Sequence, residues 1–390
     1  MSDWKGRVCA EVDRIEGELR AVSKDLFEHP ELKFEEVRAS ALLAEALRGA
    51  GFDVEHGFAG LDTAIRAVHP ATSDGPTVAI LGEYDALPEL GHACGHNLIA
   101  AGALGAALAV GSIKSELPGR LIFFGTPAEE GGGGKVKMIA AGAFEGVDAA
   151  MMFHPAPHTV VGRGSLAITE VKIEFEGRPA HASAWPEKGI NALDAVIQTF
   201  NGLNALRQHI KDGARIHGII ADGGAKPNIV PEHAAAEFYV RAPETDYRDE
   251  LLMKLRRCAE GAALATGAKL TFREVGHAYK AMKPNRPLID AFVANLEALD
   301  WSLDNPPEAL GSTDMGDVTQ VVPGMHPYLA ICDPDVVGHS REFAEASGSE
   351  RGAVAMLAGA KTMAMTTVDV LTTPGLVDRM WEVFRGGSAG

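Results

Sequence analysis

The run Thr77-Val78-Ala79-Ile80-Leu81-Gly82-Glu83-Tyr84-Asp85-Ala86-Leu87-Pro88 leads through His92-Ala93-Cys94-Gly95-His96-Asn97 into the Ala- and Gly-rich segment 98–110. A short apolar run, a polar turn and a long apolar segment read as strand (77–81), loop and helix (97–110). The same alternation continues on both sides. Strands are expected at 63–68, 120–124 and 149–153, and a helix at 135–141. Upstream, Ile15, Leu19, Val22 and Leu26 recur at helical spacing and predict a helix over 11–28. A second helix, 35–48, stops at Gly49 and Gly51. Strands alternating with helices predict an α/β layer with a mixed, largely parallel sheet flanked by helices.

The texture changes near residue 167. Ile168, Val171, Ile173 and Phe175 form a partly alternating strand. A helix over 189–211, strands near 214–221 and 234–241, a helix over 247–266 and a strand at 269–274 follow. The order β-α-β-β-α-β is that of a ferredoxin-like α+β module. The chain therefore reads as 1–166, an inserted domain 167–276, and 277–390 returning to the first layer.

Composition narrows the function. At 46% hydrophobic and 23% charged, the 390 residues exclude disorder and a disulfide-stapled miniprotein. A formal net charge of −17 repels phosphate backbones, so nucleic acid is not expected as a partner. Cys9, Cys94, Cys258 and Cys332 are scattered without CxxC pairs, which points to a reducing, cytoplasmic compartment. The N-terminal stretch carries charges where a signal peptide needs an apolar run, and the segment 98–113 is too short to span a bilayer.

Polar motifs lie where the expected strands end. After the Gly82–Pro88 and His92–Asn97 motifs come Thr126-Pro127-Ala128-Glu129-Glu130 with Gly131–Gly134, then Phe153-His154-Pro155, and later Gly338-His339-Ser340. Ligands of open α/β sheets bind beyond the carboxyl ends of strands. Cys, His and Glu gathered there are the ingredients of a metal site. Each has a plainer reading: an isolated cysteine is a small buried hydrophobe, and an isolated histidine bonds a carbonyl. Glu129 and Glu130 resist it, because adjacent carboxylates repel unless a cation neutralises them or one takes a proton. The glycine run is a weak phosphate cradle, since no Gly-Lys-Ser/Thr follows.

Taken together, HACGH, PAEEGGGG, the strand-end His154, GRPAHAS, GSTDMGD and the late VGHS resemble the aminoacylase/carboxypeptidase-type binuclear metallopeptidases, in their amidohydrolase branch. The resemblance spans about residues 15–385. It implies two divalent ions, Zn²⁺ or Mn²⁺, on Cys94, His96, Glu130, His154 and His339, with Glu129 as the catalytic carboxylate. It implies that Asp85 orients a histidine ligand. It also implies that His181 of the inserted domain serves a catalytic centre, often the partner subunit's. Asn228 and Arg241 fall on positions that contact the substrate carboxylate, and the inserted domain corresponds to a lid and dimerisation domain. Asn97-Leu98-Ile99 after CGH, and GSTDMGD, look more like p-aminobenzoyl-glutamate hydrolase and dipeptidase-like members than the hippurate and auxin-conjugate hydrolases.

The implied activity is hydrolysis of an N-acyl amino acid or small dipeptide by a metal-bridged hydroxide, with Glu129 as general base and His181 as oxyanion donor. Two alternatives compete. A cysteine amidase using Cys94 with His96 leaves Glu129, Glu130 and His339 idle, and a non-catalytic binding subunit has no use for Glu129.

Overall fold

In the computed structural model, which describes residues 3–71, 73–306 and 310–386, the elements alternate much as the periodicity predicts. The strands are β1 (Asp53–His56), β2 (Ile65–His69), β3 (Thr77–Glu83), β4 (Arg120–Thr126), β5 (Ala149–Met151), β6 (His154–Ala156), β7 (Ala167–Glu176), β8 (Arg215–Asp222), β9 (His233–Ala242), β10 (Lys269–Tyr279), β11 (Gly324–Met325) and β12 (Tyr328–Ala330). The helices are α1 (Trp4–Arg14), α2 (Glu16–Glu28), α3 (Val37–Gly49), α4 (His96–Ser112), α5 (Gly134–Ala140), α6 (Ala192–Leu206), α7 (Thr245–Thr266), α8 (Arg286–Glu297), α9 (Met315–Val318), α10 (Arg341–Ser347), α11 (Glu350–Thr372) and α12 (Leu376–Phe384).

The chain divides into two compact units. The large one comprises the residues up to Gly164, Met282–Leu310 and those from Asp314 onward. The second comprises Ser165–Ala281 with Gly311–Thr313. The return crossing lies later than residue 276 because β10 continues to Tyr279. The tripeptide joins the second unit through the Leu166 N–H, which donates to the Gly311 carbonyl at 2.8 Å.

In the large unit the sheet order is β1-β2-β4-β3-β5-β11. The pairs β3–β4, β3–β5 and β5–β11 are parallel, and β1 and β2 add an antiparallel edge. Strand β3 is buried along its whole length, as a central strand covered on both faces must be. Helix α4 is buried from His96 to Val110 and has no polar stripe, because Ala and Gly let neighbours approach on every side. Gly102 is one such approach: a Cβ there would meet the Phe153 ring at 2.4 Å. Helix α11 is long and apolar enough to cross a membrane, but 83% of its apolar window is buried, which is the condition of a core helix.

Two expected elements divide. The helix over 11–28 is interrupted at Ile15 into α1 and α2, and Gly17 weakens helical continuity there. The strand over 149–153 ends at Met151. His154-Pro155 instead pairs with β12 in a separate two-stranded sheet, Pro155 having no N–H for a ladder.

The second unit is a four-stranded antiparallel sheet, order β10-β7-β9-β8, with α6 and α7 packed against it. Val171, Ile173 and Phe175 of β7 meet Phe238 and Val240 of β9 and Leu203, Leu251 and Leu255 of the helices in one apolar core. Helix α6 starts at 192 rather than 189 because the Asn191 side chain caps it, accepting the N–H groups of Leu193 and Asp194.

Candidate metal centre

The register of β3 against β4 places Glu83 beside Thr126. Both strands therefore end on the same edge of the sheet, and the loops that follow them leave from there. One loop carries Asp85, Cys94 and His96; the other carries Glu129 and Glu130. His154 begins β6, alongside Tyr328 of β12. His339 sits in a turn whose backbone N–H donates 3.0 Å to the Ala93 carbonyl.

These side chains form three overlapping groups of ligand atoms, each within 4.8 Å of one another: Cys94 with His96 and His154; Cys94 with Glu130 and His339; His96 with Glu129 and Glu130. The Cys94 sulfur lies 3.5 Å from Nε2 of His154, and Nε2 of His339 lies 3.4 Å from Oε1 of Glu130. Gly95, between Cys94 and His96, has φ of 81°, and a Cβ there would meet Pro155 at 2.7 Å. Only glycine lets the Cys-Gly-His turn seat both ligands this close to β6.

The histidine tautomers follow from the hydrogen bonds. Nδ1 of His96 donates to the Asp85 carbonyl at 2.8 Å, with the Asp85 carboxylate 3.2 Å away. Nδ1 of His154 donates to the Pro155 carbonyl at 2.7 Å. With Nδ1 engaged, each ring keeps Nε2 as the atom available to a metal, the arrangement of a metal-ligating imidazole. Nε2 of His96 and Oε1 of Glu130 are buried without a hydrogen-bond partner among the described residues. Unpartnered nitrogen and oxygen beside a cysteine sulfur fit a divalent cation of intermediate softness.

The electrostatics divide the two rings: although burial opposes it, Cys94 and Asp85 hold His96 well above its usual range, so a cation would have to displace a proton from that ring. Burial, then Glu130, Glu83 and Asp314, hold the Glu129 carboxyl well above the usual range. Burial and the Glu130 charge push the Cys94 thiol up. Burial lowers His154 to about 4, so its ring is neutral and able to ligate. A cation would answer the crowding of negative groups and favour thiolate and carboxylate.

Beneath the ligands lies a charged core that sequence reasoning missed. The fully buried ammonium of Lys135 donates to Glu83 at 2.5 Å and to Asp314 at 2.7 Å. The second oxygen of Glu83 faces Nε2 of His96 at 3.3 Å. Burial opposes the Glu83 charge, yet Lys135 and the neighbouring histidines bring its carboxyl down to about 2. His326, buried with neither ring nitrogen bonded among the described residues, has its ring centroid 5.2 Å from that of His154 with the planes tilted by 54°. Glu83 ends an apolar strand and Asp314 lies in the GSTDMGD motif, but nothing local marked Lys135 as the cation they share.

The other three expected residues lie in the second unit. His181 is exposed, and its Nδ1 accepts the N–H groups of Ser183 and Ala184 at 3.4 and 3.3 Å, leaving Nε2 as the outward-facing ring nitrogen. The Asn228 carbonyl accepts the Ala182 N–H at 3.0 Å, so the HAS and PNIV segments are neighbours. Arg241, half-buried on β9, donates to the Ser312 hydroxyl at 3.3 Å, and its Nε has no hydrogen-bond partner among the described residues. Among the described residues it makes no ion pair with a carboxylate.

The model of Peptidase family M20/M25/M40 matches residues 79–362. The chain is 40% identical to an Xaa-Arg dipeptidase of Mus musculus, across 98% of this chain and 92% of that one. It is 36% identical to a chain of the p-aminobenzoyl-glutamate hydrolase of Escherichia coli strain K12, across 69% of this chain and 60% of that one. Among solved structures, a Bacillus subtilis dinuclear metal binding peptidase from the M20 family has the same fold, with a TM-score of 0.74 at 24% identity and 93% and 99% coverage.

Proposed function

The chain belongs to Peptidase family M20/M25/M40, and from that premise we propose that it hydrolyses the amide bond of small dipeptides or N-acyl amino acids at the Cys94–His96–Glu130–His154–His339 cluster. The observation that carries the reading is the overlap of ligand groups around Glu129, with Nε2 of His96 and of His154 available to a metal.

A pair of divalent ions, Zn²⁺ or Mn²⁺, supplies Lewis acidity when bound and lowers the pKa of water. The chain's own residues do the rest. Glu129 takes the proton of the attacking water and returns it to the leaving nitrogen. The Asp85 carbonyl receives the His96 Nδ1–H and its carboxylate the Glu130 N–H at 2.9 Å, which aligns at least one member of every ligand group. His181 offers its Nε2–H to developing negative charge on the carbonyl oxygen. Arg241 and Asn228 recognise a substrate carboxylate, a role suited to a half-buried guanidinium that pairs with no carboxylate among the described residues.

The activities for which the relatives are named make dipeptides ending in arginine the first substrates to test, and p-aminobenzoyl-glutamate the second. The edge strand β8, with exposed Ile219 and Ile220, suits pairing with a second copy of the chain. Four unpaired cysteines suit a reducing cytoplasm.

The test is chelation followed by reloading with each metal, assayed on both substrate classes. Activity should vanish with the metal and return with it. Full turnover after exhaustive chelation would leave the cluster without a catalytic role and favour a thiol amidase.

A further inference from the structure

The Glu129–Glu130 turn is held by buried carboxylates on both flanks. Ala128, immediately before Glu129, has φ of 59°, in the left-handed region that side chains other than glycine avoid. Such a backbone persists only where its surroundings over-determine it. Here the Ala128 N–H donates 2.9 Å to Oε1 of Glu36, and the Thr63 hydroxyl donates 2.7 Å to Oε2 of the same carboxylate. Glu36 is fully buried at the start of α3, far from the turn in sequence. The Tyr84 hydroxyl donates 2.6 Å to the Thr63 carbonyl and keeps that residue in place. Beyond Glu129, the Glu130 N–H goes to Asp85, and the Gly132 N–H returns 3.1 Å to the Ala128 carbonyl.

A buried carboxylate is costly, and an apolar side chain would fill the same space if packing were its whole purpose. The burial of Glu36 is matched instead by hydrogen-bond donors, among them the Thr63 hydroxyl and the amide of the strained residue. If Ala128 relaxed to a right-handed backbone, the peptide that carries Glu129 would turn with it.

We propose that Glu36 is a positioning residue for the catalytic carboxylate: by accepting the Ala128 N–H it fixes the left-handed kink that aims Glu129. The inference rests on the reading of Glu129 as proton acceptor. Misplacement of a reacting group by about 1 Å costs on the order of 10²-fold in rate. Glu36→Ala should therefore lower kcat by roughly 10- to 100-fold while KM and metal content stay at wild-type values. Glu36→Gln keeps an acceptor oxygen for the Ala128 N–H and should recover most of kcat.

The experiment measures kcat, KM, metal content and thermal unfolding for Glu36→Ala, Glu36→Gln, Thr63→Val and Glu129→Gln, all as full-length metal-loaded protein. The inference is overturned if Glu36→Ala keeps wild-type kcat, if the glutamine variant is as impaired as the alanine variant, or if the lost activity tracks lost metal. Should Glu36→Ala fail to fold, Thr63→Val takes its place. Freeing Oε2 should then lower kcat by a smaller factor at unchanged KM, and wild-type kcat there overturns the inference. An inactive Glu129→Gln beside a fully active Glu36→Ala removes the positioning role alone. An active Glu129→Gln removes the base assignment and the positioning role together.

Discussion

The large unit and the second unit bury similar aliphatic and aromatic side chains but treat charge differently. Around the ends of β3 and β4 the large unit hides Glu36, Glu83, Asp85, Lys135 and Asp314, together with His92, His96 and His326. In the second unit, among the described residues, the one buried charged side chain is Arg248, which donates to the carbonyls of Ile168 and Tyr279 and to exposed Asp249. Burying charge costs several kcal/mol per ion unless partners are close to ideal. A fold accepts that cost where chemistry needs a fixed field. The proposed chemistry draws on the buried charge of the large unit, while the second unit is a conventional core that carries His181, Asn228 and Arg241.

The strongest test of that division is Glu129→Gln, which should lower kcat by about 10²–10⁴-fold, the range of a general base, with metal content near wild type. Glu130→Gln should lose metal as well, because it removes a charged ligand. Elemental analysis beside steady-state kinetics separates the two. Substantial turnover by Glu129→Gln would move the chemistry elsewhere.

Lys135→Met comes next. It strips the shared cation from Glu83 and Asp314, and breaking a buried ion pair costs about 3–5 kcal/mol. Denaturant unfolding should register that loss. The exposed pair of Lys269 with Glu176 in the second unit is the control, and Lys269→Met should change stability by less than about 0.5 kcal/mol. Similar losses in both would mean that the buried triad contributes no more to stability than an exposed ion pair.

Arg241→Ala sharpens the contrast from the other side. We expect a KM rise for acid substrates worth roughly 2–5 kcal/mol, and a much smaller rise for the matching amides. Equal losses on acid and amide would return Arg241 to a structural role.

The smallest effect expected is on pH dependence. Burial is the main cause that lowers His92 and His154 to about 4 and His326 to about 3. Their folded pKa values lie below the unfolded value near 6.5, so the unfolded chain binds more protons in between. The stability they contribute is complete above pH 6.5 and is lost as pH falls toward 4 and below. Each contributes a slope of at most about 1.4 kcal/mol per pH unit. His326→Phe should flatten the fall in unfolding midpoint between pH 7 and pH 5; an unchanged slope would show that His326 does not titrate as a buried base.

Much of the site was legible because its signals are local. The apolar run of β3, the glycine of Cys94-Gly95-His96, the paired Glu129 and Glu130, and a histidine before Pro155 can each be read within a few residues. Strand-end placement follows from the alternation of strands and helices, which is itself a matter of short-range periodicity. The Asp85 contact with His96 was reachable for the same reason, the two being eleven residues apart.

What the sequence by itself determined is thus the order of the elements, the parallel layer with its inserted β-α-β-β-α-β module, and the candidate ligands. Tertiary structure alone decided that Lys135 lies between Glu83 and Asp314, 179 residues from the latter. It alone decided that Glu36 reaches the amide of Ala128, that the His154 strand leaves the main sheet for β12, and that Gly311–Thr313 belongs with the second unit. The physical reason is one of range. Hydrophobic periodicity and turn chemistry act over a handful of residues. The partner of a buried charge is chosen by whatever polar group the packed layers bring within about 3 Å, and no local pattern records that choice.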